Sequence, residues 1–166
     1  MAGASITVDD ANTIAALERL YAAAGDLLPV YKNIGVYETQ STKRRFITET
    51  DPDGVPWQDL NELYATTKKG PGKLRGETRE LSAIIYQAAN DNVEIGSEVI
   101  YARIHNEGGV IRPKNASALV FSMGGQTFKV KSVTMPKRQF LGFSDEDIVE
   151  IQAIIQDHFL DAIDGR

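Results

Sequence analysis

His105 and His158 are the only imidazoles in this 166-residue chain, which has no cysteine. General acid–base chemistry needs a group that titrates near neutrality and a second group that orients it. His105, two residues from Glu107, is therefore the first candidate. A His-x-Glu pair is half of a zinc deaminase signature, but the Cys-x-x-Cys half is missing. The chain has no His-Glu-x-x-His, no Gly-x-Ser-x-Gly and no Gly-x-x-x-x-Gly-Lys run. His105 reads instead as a ring packed at a helix end and hydrogen-bonded to backbone. Asp51, Asp53 and Asp59 suggest metal ligands, yet Asp51-Pro-Asp-Gly54 is turn chemistry, and a calcium loop needs further carboxylates and a terminal glutamate. Asp145-Glu-Asp147 suits the positive end of a helix. The expectation is no catalytic residue, no metal and no cofactor.

Binding chemistry is better represented. Basic residues cluster at Lys43-Arg44-Arg45, at Lys68 and Lys69 with Lys73 and Arg75, and at Lys129, Lys131, Lys137 and Arg138. Against them, residues 144–166 hold seven acids and one arginine, a net of −6, so the preceding residues net +1 in a chain of net −5. Such asymmetry suits a molecule whose faces meet different partners or copies of itself. Lys43, Arg44, Arg45, Lys68, Lys69, Lys129, Lys131 and Arg138 are the candidate interface residues. Nonspecific contact with nucleic-acid phosphates is the alternative use of these clusters. A pI near 5.1 and the lack of any helix-turn-helix, zinc-finger or RNA-binding signature make it secondary.

The elements that position these residues follow from periodicity. A first helix over residues 9–24, capped by Asp9 or Asp10, carries Ile14, Leu17, Leu20, Tyr21 and Ala24. A second, from about Pro29 to Thr48, aligns Val30, Ile34, Tyr37, Ser41 and Arg45, with Gly35 weakening it by roughly 1 kcal/mol. Together they predict a helical hairpin. Residues 49–77 read as a long, partly mobile loop, with one helical turn near Leu60–Tyr64, that orders on docking. Residues 78–143 predict an antiparallel β-sheet built of hairpins. One hairpin turns at Asp91-Asn92; the clearest joins two strands through Gly124-Gly125. Its return strand points Phe128 and Val130 inward and Lys129 and Lys131 outward. A short helix with Ile100 and Ile104 on one face interrupts the strands and stops at Gly108-Gly109. Ser144 caps a final amphipathic helix to residue 164, with Ile148, Ile151, Ile155, Phe159 and Ala162 toward the sheet and acids away from it. The fold class is α+β in one domain spanning 1–166. No run of 18 apolar residues and no signal-peptide pattern occurs, which predicts a soluble protein that meets no membrane.

Two runs bracket the glycine hairpin: Tyr101-Ala-Arg-Ile-His-Asn-Glu-Gly-Gly109 and Met135-Pro-Lys-Arg-Gln-Phe-Leu-Gly-Phe-Ser-Asp-Glu-Asp147. With Arg44-Arg-Phe46 and Thr50-Asp-Pro-Asp-Gly-Val-Pro-Trp57 upstream, they resemble the phage virion morphogenesis family, the tail-completion proteins of Mu-like contractile-tailed phages. The match falls on Tyr101, Ala102, Ile104, His105, Gly108, Gly109, Pro136, Arg138, Phe140, Leu141, Gly142, Ser144 and Asp147, and runs from about residue 40 to the C-terminus. Tyr101, His105, Gly108, Gly109, Pro136, Phe140, Gly142 and Ser144 are its candidate structural residues. The resemblance implies a non-enzymatic protein of the virion tail or neck, assembled in the host cytoplasm. It further implies a homo-oligomeric ring, with a hexamer one option, docked to tail tube, tail terminator or head–tail connector proteins, with DNA contact secondary.

Overall fold

The longest helix sets the frame of this computed structural model, which describes residues 11–166; the expected caps Asp9 and Asp10 lie outside them. Helix α2 (Leu28–Thr48) buries Val30, Ile34, Glu38, Thr42 and Phe46, a row at four-residue steps, with Gly35 and Arg45 beside it. Pro29 sits in its first turn, where a missing N–H removes no hydrogen bond. It ends at Glu49, left-handed at φ 59°, whose N–H bonds the Arg45 carbonyl at 2.8 Å.

Helices α1 (Ala11–Gly25) and α5 (Asp145–Asp164) complete the helical layer. Arg19 donates to the Ala162 and Ile163 carbonyls at 2.9 and 2.7 Å, and His158 Nε2 lies 3.2 Å from the Ala23 carbonyl. At the other end of α5, Asp147 meets Ser41 and Arg45 of α2. Both N-terminal helices therefore run antiparallel to α5, each along a different part of it. They are the two helices expected, but they do not fold back on one another as a hairpin. Likewise α5 covers α1 and α2 rather than a sheet, because its half-buried side (Ile151, Ile154, His158, Ala162) faces the helices.

The strands are antiparallel and built of hairpins, as expected, yet they form three separate two-stranded ribbons. The first, β1 (Ile85–Ala88) with β2 (Val93–Gly96), packs on α2. Here the Tyr86 ring lies so close over Gly35 that no Cβ would fit, which gives the helix glycine its purpose. Strands β3 (Gly109–Ile111) and β6 (Val133–Met135) close the second ribbon. Between them, β4 (Leu119–Met123) and β5 (Gln126–Val130) form the third, turning at Gly124 and Gly125 with φ of 59° and 77°.

The core gathers Phe46, Trp57, Leu74, Leu81, Ile84, Ala102 and Phe140. Phe46 packs against Trp57 edge-on at 5.6 Å and against Phe140 at 5.0 Å between ring centroids. The segment expected as an open loop thus supplies two core residues, Trp57 and Leu74. Its helical turn is α3 (Glu62–Ala65), capped by the Asn61 side chain. Ile100, expected on one helix face with Ile104, lies outside the helix and is 99% exposed, because α4 (Ala102–Glu107) begins two residues later.

Candidate interaction surface

The two bracketing runs meet face to face. Residues 136–142 lie across the end of α4 and are stitched there through the main chain. The Arg138 N–H donates to the His105 carbonyl at 2.9 Å, and Asn106 Oδ1 accepts from the N–H groups of Phe140 and Leu141, both at 3.0 Å. Gly108 makes this approach possible: at φ 72°, an added Cβ would stand 2.7 Å from the Lys137 nitrogen. On the other side, the Arg138 guanidinium donates to the Gln58 and Asp59 carbonyls, each at 2.8 Å, and the Trp57 indole donates to the Gln139 carbonyl at 2.8 Å. Phe140, fully buried, is the hydrophobic pin of this latch.

A second buried cluster fixes α5. Arg45 donates to the Phe140 and Gly142 carbonyls at 2.9 and 2.7 Å and pairs with Asp147. Asp147 also accepts from Ser41 Oγ at 2.6 Å and from the Ser144 N–H at 2.8 Å, while Ser144 Oγ accepts the Asp147 N–H at 3.1 Å, closing a capping box. Burial alone would raise the Asp147 pKa, but the Ser144 and Ser41 hydrogen bonds and Arg45 hold it below the usual carboxylate range. Glu38, one turn before Thr42, is only 2% exposed, and its Oε1 has no partner. Burial, then the Asp147 charge, pushes its pKa up to about 7 against the pull of Arg45.

Arg45 and Arg138 are therefore not free surface cations, contrary to the expectation from the basic clusters. Each is buried because it satisfies main-chain carbonyls that no strand or helix partner reaches. Lys68 is half-buried and closes its own loop by donating to the Lys69, Gly70 and Arg75 carbonyls at 3.3, 3.1 and 2.8 Å. Lys43, Arg44, Lys69, Lys129 and Lys131 are exposed. Lys69 makes only a loose, solvent-exposed pair with Glu77 at 3.7 Å.

His105 sits beside Tyr101, edge-on at 6.0 Å, in a cleft of about 160 Å³ that Lys68, Lys73 and Glu80 also line. Its Nδ1 is buried without a partner, so the expected bond from the ring to backbone is not made there; the residue engages through its carbonyl instead. Burial first, and Arg138 second, lower its pKa, leaving the ring neutral at pH 7. Tyr101 donates to Glu80 at 3.2 Å, and Lys73 is tied to Glu49 and Asp59. Asp51 accepts from the Val55 N–H at 2.8 Å within its turn. Pro136 and Gly142 lie at the two ends of the latch segment; at φ 140°, Gly142 lets Pro52 approach. Asn106 and Glu38 carried no signal in the sequence. Trp57 did carry one, since a lone tryptophan in a polar stretch is seldom left in solvent.

What the surface leaves open is apolar on the helices and basic on a ribbon. Along α1, Ile14, Leu17 and Tyr21 are 52%, 58% and 85% exposed, and no residue of the helix is buried. Helix α5 exposes Ile148, Val149, Leu160 and Ile163 beside an acidic stripe of Glu146, Glu150, Asp157 and Asp161. On β4–β5, Val120 stands opposite Lys129 on the exposed face, while Phe121 and Phe128 stack at 5.7 Å on the other.

The sequence model of the phage virion morphogenesis family matches residues 8–160, nearly the whole chain. The chain belongs to that family. No match is found among curated proteins or among solved structures. Family membership makes this a phage morphogenesis protein and associates it with the virion. It also points to a structural rather than catalytic role, in keeping with motif residues that serve the latch. Among the described residues, no helix is long and apolar enough to cross a membrane.

Proposed function

We propose that this protein completes the phage tail and joins it to the head, acting as a homo-oligomeric ring that docks on tail tube, tail terminator or connector proteins. The observation that carries the reading is the helical layer of a morphogenesis-family chain. There α1 turns Ile14, Leu17 and Tyr21 of its apolar stripe to solvent, while Leu20 is half-buried. Exposed stripes of this kind mark protein–protein contact. Lys43 and Arg44, on the last turns of α2, and Lys69 on the neighbouring loop, are the residues proposed to dock the tail or connector partner. In a head-to-tail ring each copy presents two different faces, which the separation of acidic α5 from basic β4–β5 provides.

Deletion of the gene with complementation in trans tests this reading. Electron microscopy of lysates lacking the protein should show full heads and unjoined or irregular tails. Normal particles in its absence would remove the proposal. Nonspecific nucleic-acid binding is the weaker use of the same surface, since Arg45 and Arg138 are engaged internally. Binding to duplex DNA that falls steeply with salt, and that is lost in Lys129→Glu/Lys131→Glu, would promote it.

A further inference from the structure

A groove of about 480 Å³ opens where α1, α2 and α5 converge, lined by Ala23, Ile154 and Ala162, by the carboxylates Asp157 and Asp161, and by Arg166, whose guanidinium is paired with Asp164. Neither Asp157 nor Asp161 has an ion-pair partner in the described residues. Its complement lies on the same molecule. The β4–β5 ribbon is held at its tip, where the Gly124 N–H meets Thr67 Oγ1 at 3.3 Å, and has no extensive packing against any other helix or ribbon. The ribbon's exposed face carries Val120 and Lys129 as a cross-strand pair, with Lys131 one alternation further along. Among the described residues these lysines also lack ion-pair partners.

We infer that the α1–α2–α5 groove receives the β4–β5 ribbon of a second copy of this chain, Val120 against the alanine and isoleucine lining and Lys129 and Lys131 against Asp157 and Asp161. A concave site with two unpaired carboxylates, its Arg166 already engaged by Asp164, complements a narrow basic projection in charge and shape. The contact is heterologous, so it propagates from copy to copy and closes as a ring if the rotation allows. The inference rests on the proposed ring reading and supplies its interface.

Charge reversal on full-length protein tests it. Asp157→Lys/Asp161→Lys and Lys129→Glu/Lys131→Glu each change exposed residues only, so circular dichroism and thermal midpoint should stay at wild-type values. In analytical ultracentrifugation at low salt, wild-type protein should self-associate, and each variant alone should lose at least tenfold in association constant. An equimolar mixture of the two should recover it, because each supplies the surface that complements the other. The inference is overturned by monomeric wild type at its highest soluble concentration, by variants that associate unchanged, or by a mixture that stays monomeric. Tail completion is read separately in trans. A variant that associates normally yet fails to complete tails assigns the ribbon to another partner and also overturns the inference. A monomeric variant that completes tails overturns the ring but leaves a tail role standing.

Discussion

Arg45→Met is the sharpest test of how the latch is built. Arg45 is 5% exposed and holds four acceptors: the Phe140 and Gly142 carbonyls, Ser41 Oγ at 3.3 Å and the Asp147 carboxylate, itself 1% exposed. Methionine fills much of the volume and donates to none of them. Removing one partner of a buried ion pair costs about 3–5 kcal/mol, because the remaining charge stays buried. Residual bonds from Ser41 and Ser144 to Asp147 place the expected loss near the lower end, about 3 kcal/mol. Arg44→Met, one residue away and exposed, should change stability by less than about 0.5 kcal/mol. Urea unfolding followed by far-UV circular dichroism measures both. In Arg45→Met/Asp147→Leu the uncompensated charge is gone, so the double variant should be more stable than Arg45→Met alone. Equal stabilities for Arg45→Met and Arg44→Met would refute the internal role and return Arg45 to the surface patch. A double variant no better than Arg45→Met would show that the lost carbonyl bonds, not the buried carboxylate, carry the cost.

Three further outcomes follow from the geometry. Glu38 has its native pKa raised from 4.5 to about 7, so the folded state binds the extra proton across that interval. Stability should therefore fall as pH rises through it, by at most roughly 3 kcal/mol, and Glu38→Gln should flatten this slope in urea titrations at pH 5 and 8; an unchanged slope would sink the assignment. Gly35→Ala gains about 1 kcal/mol of helix propensity but places a methyl in the Tyr86 ring, so it should destabilise the wild type and stabilise a Tyr86→Ala background. The same sign in both backgrounds, by thermal denaturation, would discard the steric explanation. Gly108→Ala meets both left-handed strain and the Lys137 backbone, and should cost more than the about 1–3 kcal/mol of strain alone; near-wild-type unfolding would show that α4 and the latch strand separate freely.

Periodicity carried the local elements because each satisfies its own backbone: α2, the glycine hairpin and the Ser144 capping box lie where residue spacing places them. Packing was less legible. Of the spaced residues Ile14, Leu17, Leu20, Tyr21 and Ala24, only Leu20 is half-buried, and only the structure shows α1 turned so that Ala23 and Arg19 meet α5. The reason is that hydrophobic spacing names a face but not the surface it meets. Basic clusters misled in the same way. Arg44 and Arg45 are adjacent, yet 100° of helix rotation puts one in solvent and the other in the core. Arg138 reads as part of a basic run because nothing local reveals two carbonyls some eighty residues away.

The inward turn of those arginines bears on where assembly can act. With Arg45 and Arg138 engaged in the latch, the bracketing motifs of the family secure the chain's own core. The surfaces the motifs leave open are α1, the outer side of α5 and the β4–β5 ribbon, those on which the proposed assembly would act. Of these, α1 is the least self-sufficient. It has 15 residues, none of them buried, and Arg19 and a few small side chains hold it to α5. Helices of that length are marginal without tertiary burial. Under the proposed assembly, a partner that covers Ile14, Leu17 and Tyr21 would also stabilise the helix that presents them, coupling the folding of α1 to docking.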